Sequence, residues 1–178
     1  MNTYRILIIG CSGSGKSTLA PVLAKNLDLP YLHLDRIFHG PEVKQKNIQL
    51  FEQIQREFIA QNSAFVIEGN YSRYIDDRIA SANLIIWLQI SKQRSLFRVV
   101  KRSLKSWLKI KKRPDMPDAF KERFDREYWD FLKYVWQFEQ VVKPRLEAVI
   151  QRRNSDCELV IIKNSETKAA LIKRLTRN

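Results

Sequence analysis

Short apolar runs alternate along this chain with longer stretches whose apolar residues recur every three or four positions. Ile6 to Ile9, ended by Gly10, reads as a strand buried on both faces. A glycine and serine loop from Gly10 to Gly15 follows, and then a helical pattern from Lys16 to Leu27 built on Leu19, Val22, Leu23 and Leu27. Pro21 falls inside that helix, where it removes a hydrogen bond and is expected to bend the axis. Tyr31 to Leu34 is a second strand ending at Asp35. Ile48, Phe51, Ile54 and Phe58 mark a helix from Asn47 to Gln61. Ala64 to Ile67, closed by Glu68-Gly69, is a third strand, and Leu84 to Ile90 a fourth, which leads into a long helix from Ser91 to about Lys112.

Pro114 and Pro117 then break the chain, and Asp118 is a suitable cap for a helix carrying Phe120, Phe124, Tyr128, Phe131, Leu132, Val135 and Phe138 toward Pro144. Leu159 to Ile162 is a fifth strand, and Ser165 to Arg177 a last helix with Ser165 as its cap. Strands alternating with amphipathic helices predict an α/β fold around an open parallel sheet. No repeat or linker divides the 178 residues, which read as one domain.

Composition narrows the class. With 44% hydrophobic residues, 11% aromatics and five glycines, the chain is neither disordered nor of low complexity. A chain of this size buries about 70% of the surface it exposes unfolded. No apolar run approaches the roughly 20 residues that span a bilayer, and Ile6 to Ile9 is too short for the core of a signal peptide. Two cysteines, Cys11 and Cys157, make neither a disulfide framework nor a metal-ligand spacing. A soluble cytoplasmic protein without a membrane partner is expected.

The formal net charge of +13 favours anionic partners: nucleic acid, an acidic membrane surface or phosphorylated small molecules. Its distribution is uneven. Between Ser91 and Pro114 stand ten basic residues and no acidic one.

The chemistry lies in Gly10-Cys-Ser-Gly-Ser-Gly15-Lys16-Ser17, which fits G-x-x-x-x-G-K-[ST] with a strand before it and a helix after it. Gly10, Gly13 and Gly15 let the backbone curl, so that the N–H groups of Ser12, Ser14 and their neighbours form an anion nest. The positive end of the next helix strengthens that field. Lys16 reaches the β- and γ-phosphates of a nucleotide, Ser17 holds Mg²⁺, and Thr18 meets the α-phosphate. ATP and Mg²⁺ are the expected ligands.

With that loop, Tyr31-Leu-His-Leu-Asp35, Ile67-Glu-Gly-Asn-Tyr-Ser-Arg73, Arg113-Pro-Asp-Met116 and the aromatic stretch Trp129 to Phe138, the chain resembles the P-loop kinases of the adenylate and shikimate kinase type. More narrowly it resembles the bacterial topology modulation, or FlaR-like, proteins. The resemblance implies a three-layer P-loop NTPase fold, with a five-stranded parallel sheet, helices on both faces and a helical lid over about 101–123. It also implies an ATP-dependent phosphotransferase with a small-molecule acceptor, for which a nucleoside monophosphate is one candidate.

Asp35 lies where open parallel sheets place ligands, at a strand's carboxyl end. It can take a proton from an acceptor or help hold Mg²⁺, and a cap or turn role is the alternative. Glu68-Gly69 resembles the Asp-Gly of monophosphate kinases, which implies a metal role for Glu68 and a substrate-phosphate role for Arg73, although Arg73 comes one place late. By the same resemblance Arg98 lies against adenine and Arg102 contacts the transferring phosphate. Arg113-Pro-Asp115, with Arg123 ten residues later, resembles the second arginine pair that closes the lid in that family. Arginine's planar fork suits phosphate oxygens. The alternative is a solvated basic helix, which is the better reading for Lys101, Lys105, Lys109 and Lys111.

Helical spacing assigns most of the aromatic run to the core, and His33 to core or cleft without a metal motif. Cys11 sits among loop N–H groups that lower a thiol pKa. The competing functional class is a nucleic-acid-binding protein whose nucleotide site is regulatory, with the basic helix tracking phosphates. No helix-turn-helix, zinc-finger or RNA-recognition signature accompanies it.

Overall fold

The structure is a computed structural model that describes residues 3–40, 43, 47–108 and 123–176. Among these residues five strands form one sheet: β1 (Arg5–Gly10), β2 (Tyr31–His33), β3 (Phe65–Glu68), β4 (Leu84–Leu88) and β5 (Glu158–Ile162). The order across the sheet is β2-β3-β1-β4-β5, and every pairing is parallel. Crossovers are made by α1 (Lys16–Leu27), α2 (Leu34–Phe38), α3 (Ile48–Gln61), α4 (Asp76–Ser81), α5 (Lys92–Trp107) and α6 (Arg126–Ile150), and α7 (Ser165–Leu175) closes the chain.

Alternation along the strands divides the core in two. Ile6 and Ile8 of β1 pack with Leu19 and Leu23 of α1 and Leu171 and Leu175 of α7. Leu7 and Ile9 face the other way, onto Phe51 of α3, Ile79 of α4, Val99 of α5 and Val135 and Leu146 of α6. Both faces are covered, which is why the strands read as unbroken apolar runs rather than alternating ones.

Register then decides what lies beside what. Gly10 pairs with Leu88, Ile8 with Glu68, and His33 with Glu68, so the carboxyl ends of β1, β2, β3 and β4 lie along one edge of the sheet.

Several boundaries differ from the sequence reading. The second strand ends at His33, and Leu34 opens α2, so Asp35 lies in a helical first turn and not at a strand end. The fourth strand stops at Leu88 as an ordered ladder, although the Gln89 N–H still donates to Ile162 O at 2.8 Å. Helix α4 and the 3₁₀ turn Ser72–Tyr74 stand where no element was expected; six and three residues are too few to show a period.

Asp125 caps α6, accepting from the Tyr128 amide at 3.1 Å, while Asp118 and Phe120 lie outside the described residues. The helix passes through Pro144 to Ile150. The Gln140 carbonyl, which loses its donor to the proline ring, belongs to an exposed residue where water can serve it. Asn164 caps α7 in place of Ser165: its Oδ1 accepts from Thr167 N at 2.9 Å, and Thr167 Oγ1 accepts from Asn164 N at 3.3 Å. The reciprocal pair needs this one-residue offset. The first residues of the expected lid, 101 to 107, are the last turns of α5, with Ser103 buried; residues 109–122, with Arg113, lie outside the described residues.

Candidate active site

The loop after β1 is built by backbone that side chains tolerate poorly. Gly10 has φ 144° and Gly13 φ 79°. A Cβ on Gly10 would stand 2.5 Å from the Leu88 carbonyl oxygen, and one on Gly13 2.4 Å from that of Ser95. Glycine is therefore required for close approach as well as for conformation. The Lys16 side chain is buried and its Nζ donates to Cys11 O at 3.2 Å, so the ammonium is folded across the loop it serves. From above, Arg98 Nη1 of α5 donates to the carbonyls of Gly13 and Ser14, both at 3.4 Å.

Opposite the loop stands an acidic group with a hydroxyl on each carboxylate. Glu68, at the end of β3, is fully buried and accepts from the Tyr31 hydroxyl at 3.2 Å through Oε2. His33 Nε2 lies 3.4 Å from the same oxygen. Asp35 accepts from the Tyr71 hydroxyl at 2.8 Å. His33, Asp35 and Glu68 each offer a ligand atom, all within 4.8 Å of one another. Carboxylate oxygens suit Mg²⁺, and an added imidazole suits transition metals as well.

Burial, with the neighbouring carboxylates of Glu68 and Asp35, pushes the Tyr31 phenol far above its ordinary range. The Tyr71 phenol is raised in the same way, with Asp35 foremost among the charges. Both hydroxyls thus remain donors at any working pH. Burial also raises the Cys11 thiol to about 11, against the lowering by Lys16 and by hydrogen bonds from Ser95 and Ser12. The lowering expected from the loop amides is present but outweighed: desolvation of the thiolate is the larger effect.

Two side chains that sequence reasoning passed over organise the site. Asn70 bonds the backbone of Gly10 in both directions, each at 2.9 Å. Arg78 is buried beneath the loop after β3 and donates to the carbonyls of Gly69, Asn70, Tyr71 and Tyr74 at 2.9 to 3.1 Å. Burial lowers its pKa to about 9, which leaves it charged at neutral pH. These bonds hold Tyr71 at φ 40°, a left-handed conformation unusual for a large side chain. An arginine amid a polar stretch gives no hint of such a role, and Asn70 was read only as part of Ile67-Glu-Gly-Asn-Tyr-Ser-Arg73.

These groups surround one cleft of about 1770 Å³, larger than the roughly 300–1,000 Å³ of a single-ligand pocket. Ser12, Gly13, Ser14, Gly15, Lys16, Ser17 and Thr18 line it, as do Asp35, Glu68, Arg73, Arg98, Arg102 and Arg123. Gly10 lies beneath the loop and does not line the cleft, and Arg113 is outside the described residues. Arg102 is half-buried, whereas Arg73 and Arg123 are exposed at the rim. Of the aromatic run, Tyr128 and Phe138 are core, but Trp129, Tyr134 and Trp136 are exposed. The buried arc of α6 follows Tyr128, Val135, Phe138, Val142 and Leu146, Phe131 packs half-buried at its edge, and Trp129, Tyr134 and Trp136 fall outside it.

No protein-family model matches the chain, and no curated protein matches its sequence. Solved structures do match. Shikimate kinase from Acinetobacter baumannii in complex with shikimate aligns with a TM-score of 0.58 at 14% identity, over 97% of this chain and 90% of that one. A gluconokinase from Sinorhizobium meliloti aligns at 0.54 and 18%, over 99% and 95%. A sugar kinase from Janibacter sp. aligns at 0.52 and 18%, over 97% and 91%. At these identities the shared property is the backbone, and the sheet order, the all-parallel pairing and the loop after β1 agree with it: the chain has the fold of the P-loop kinases.

Proposed function

We propose that the protein is an ATP-dependent kinase that transfers the γ-phosphoryl group to a small molecule. One observation carries this reading: a phosphate loop with Lys16 and Ser17 shares a single cleft with the Asp35 and Glu68 carboxylates. The loop amides and Lys16 bind the nucleotide's phosphates, and Arg98 and Arg102 add positive charge along the same wall. Ser17 and Glu68 are hard oxygen donors that fit Mg²⁺, which supplies charge neutralisation on the phosphates when bound.

The acceptor side favours a hydroxyl. In the transfer, an acceptor oxygen attacks the γ-phosphorus, the bond to the bridging oxygen breaks, and ADP leaves. A hydroxyl acceptor must lose its proton, and Asp35, oriented by Tyr71, can take it. A phosphate acceptor, as in the adenylate kinase-like alternative, has no such proton to lose and would meet two carboxylates. Arg73 and Arg123 at the rim suit an acceptor that also carries an anionic group. A small hydroxy acid or polyol therefore fits better than a nucleoside monophosphate. Structures of shikimate, gluconate and sugar kinases share the fold, which agrees with this choice. By the motifs it shares with the topology modulation proteins, the protein is in this reading a kinase of that group acting in the cytoplasm.

The test is ADP formation from Mg·ATP across hydroxy acids, polyols and nucleoside monophosphates, with Lys16→Ala in parallel. Stimulation by a hydroxyl acceptor, absent in the variant, is expected. A response confined to monophosphates would overturn the acceptor assignment, and a flat panel the kinase reading.

A further inference from the structure

Helix α5 divides into three arcs. Ser95, Val99 and Ser103 are buried against the domain. Arg94, Arg98, Lys101, Arg102 and Lys105 line the cleft. The remaining arc carries Phe97, Val100, Leu104, Trp107 and Leu108, all exposed, with Phe97 at 65% and Trp107 at 55%. A helix needs one buried face to dock, and this one has a second apolar face that nothing in the kinase site uses.

The apolar arc continues onto α6. Trp107 meets Phe124 at 5.8 Å between ring centroids, Phe124 meets Tyr128 at 4.9 Å, and Tyr128 meets Trp129 at 6.1 Å. Trp129 is 64% exposed, and Trp136 lies two turns along the same edge of α6. Cations border the patch: Lys101 Nζ is 5.7 Å from the Phe97 ring centre, Lys92 Nζ is 4.4 Å from that of Trp136, and Lys133 is exposed between the two tryptophans. Helix α5 has no acidic residue.

We propose that this face binds the surface of an anionic lipid bilayer. Aliphatic and aromatic side chains flanked by lysines are the pattern of an interfacial helix: rings and chains enter the headgroup boundary while the cations meet lipid phosphates. Tryptophan favours that boundary because one ring is both apolar and a hydrogen-bond donor. Charge selects among occupants. A second copy would appose lysine rims of like sign on chains of net charge +13. Nucleic acid would use rings for stacking, but Val100, Leu104 and Leu108 cannot stack, and most of the helix's cations face the cleft instead. The association is peripheral, since no helix among the described residues is long and apolar enough to cross a membrane. It is independent of the kinase reading.

The test uses the full chain with vesicles of phosphatidylcholine alone or mixed with phosphatidylglycerol. Three of the four tryptophans lie on this face, and Trp87 is buried in β4, so intrinsic fluorescence reports contact directly. The expected result is co-sedimentation with the anionic vesicles only, a blue shift of emission, and at least tenfold weaker binding for Phe97→Ser/Leu104→Ser. That variant should keep its thermal unfolding midpoint and its ATP affinity. Lys92→Gln/Lys133→Gln should weaken binding and flatten its salt dependence. No sedimentation with anionic vesicles overturns the proposal. So does vesicle binding unchanged in both variants, a dimer in sedimentation equilibrium that Leu104→Ser dissolves, or a fluorescence response to single-stranded oligonucleotide but not to vesicles.

Discussion

Asn70 holds Gly10 by two hydrogen bonds, its Oδ1 accepting from the glycine N–H and its Nδ2 donating to the glycine C=O, both at 2.9 Å. The loop after β3 thus fixes the last residue of β1, where the chain turns into the phosphate loop. The amide side chain works as a piece of backbone would, extending the β1–β3 pairing beyond Ile8 and Glu68.

Asn70→Ala leaves two partly buried backbone groups without their partner, a cost of about 1–3 kcal/mol. Nucleotide binding should weaken about tenfold as the loop loses its shape. Asn70→Asp keeps the size but loses the donor and sets a carboxylate against Gly10 O, and should weaken ATP binding further. Urea unfolding and titration with a fluorescent ATP analogue measure the two effects; unchanged ATP affinity in both variants would remove the clamp from the binding machinery.

Arg78 satisfies four carbonyls from a buried position, so Arg78→Met strips all four at once. Destabilisation of about 3–5 kcal/mol is expected. Arg78→Lys should recover only part of it, because an ammonium lacks the planar fork that spans Gly69 to Tyr74. Chemical denaturation of the three proteins checks the order; a Lys variant as stable as the parent would show that charge, rather than geometry, is what the loop needs.

Tyr71→Phe removes one hydrogen bond to Asp35 while keeping the ring among Phe38 and Phe51. In the proposed reaction kcat should fall about fivefold to tenfold with ATP binding unaltered, since the bond orients the base and does not touch the nucleotide. Asp35→Asn should lower kcat by about 10²–10⁴. Steady-state kinetics separate the cases: a Tyr71→Phe change confined to KM for ATP would contradict the orienting role.

The Cys11 thiol, raised by burial from 9.0 to about 11, makes stability depend on pH in a defined window. Below pH 9 the thiol is neutral folded and unfolded, and nothing changes. Above it the unfolded chain releases the proton that the folded chain retains, so stability falls between pH 9 and about 11 and the loss then levels off. The full effect is about 2–3 kcal/mol. Cys11→Ala should lose this component, and the difference between the two unfolding midpoints from pH 8 to 11 isolates it from the lysines and tyrosines. A constant difference would mean that the thiolate is not penalised. Slow alkylation of Cys11 at neutral pH is the accompanying expectation.

Much of the architecture was legible because it is local. Ile6 to Ile9, the glycine loop and the helix from Lys16 each depend on neighbours within a few positions, and the phosphate-binding motif needs only that strand, loop and helix follow in order. The misreadings were at ends and in short pieces. The cap Asn164 was missed because it and the adjacent Ser165 compete until the backbone dihedral is known, Asp125 because α6 is capped seven residues after the expected cap Asp118, and α4 because six residues show no period. Most of the aromatic run was expected in the core, yet Trp129, Tyr134 and Trp136 are exposed, because a helical period marks one buried arc and the aromatic residues between its positions fall outside it.

By itself, then, the sequence determined an α/β chain with a phosphate loop at its first strand and a strongly basic helix after its fourth. The tertiary structure alone decided which distant side chains meet. His33 and Glu68 are thirty-five positions apart and stand side by side because β2 and β3 pair in that register. Asn70 reaches Gly10 because β3 lies next to β1, and Arg78 reaches four carbonyls because α4 folds back under the loop before it. The physical reason is one of range. Secondary structure follows from steric and periodic preferences carried by each short segment, whereas convergence of polar groups follows from strand order and register, which burial of the whole sheet selects at once.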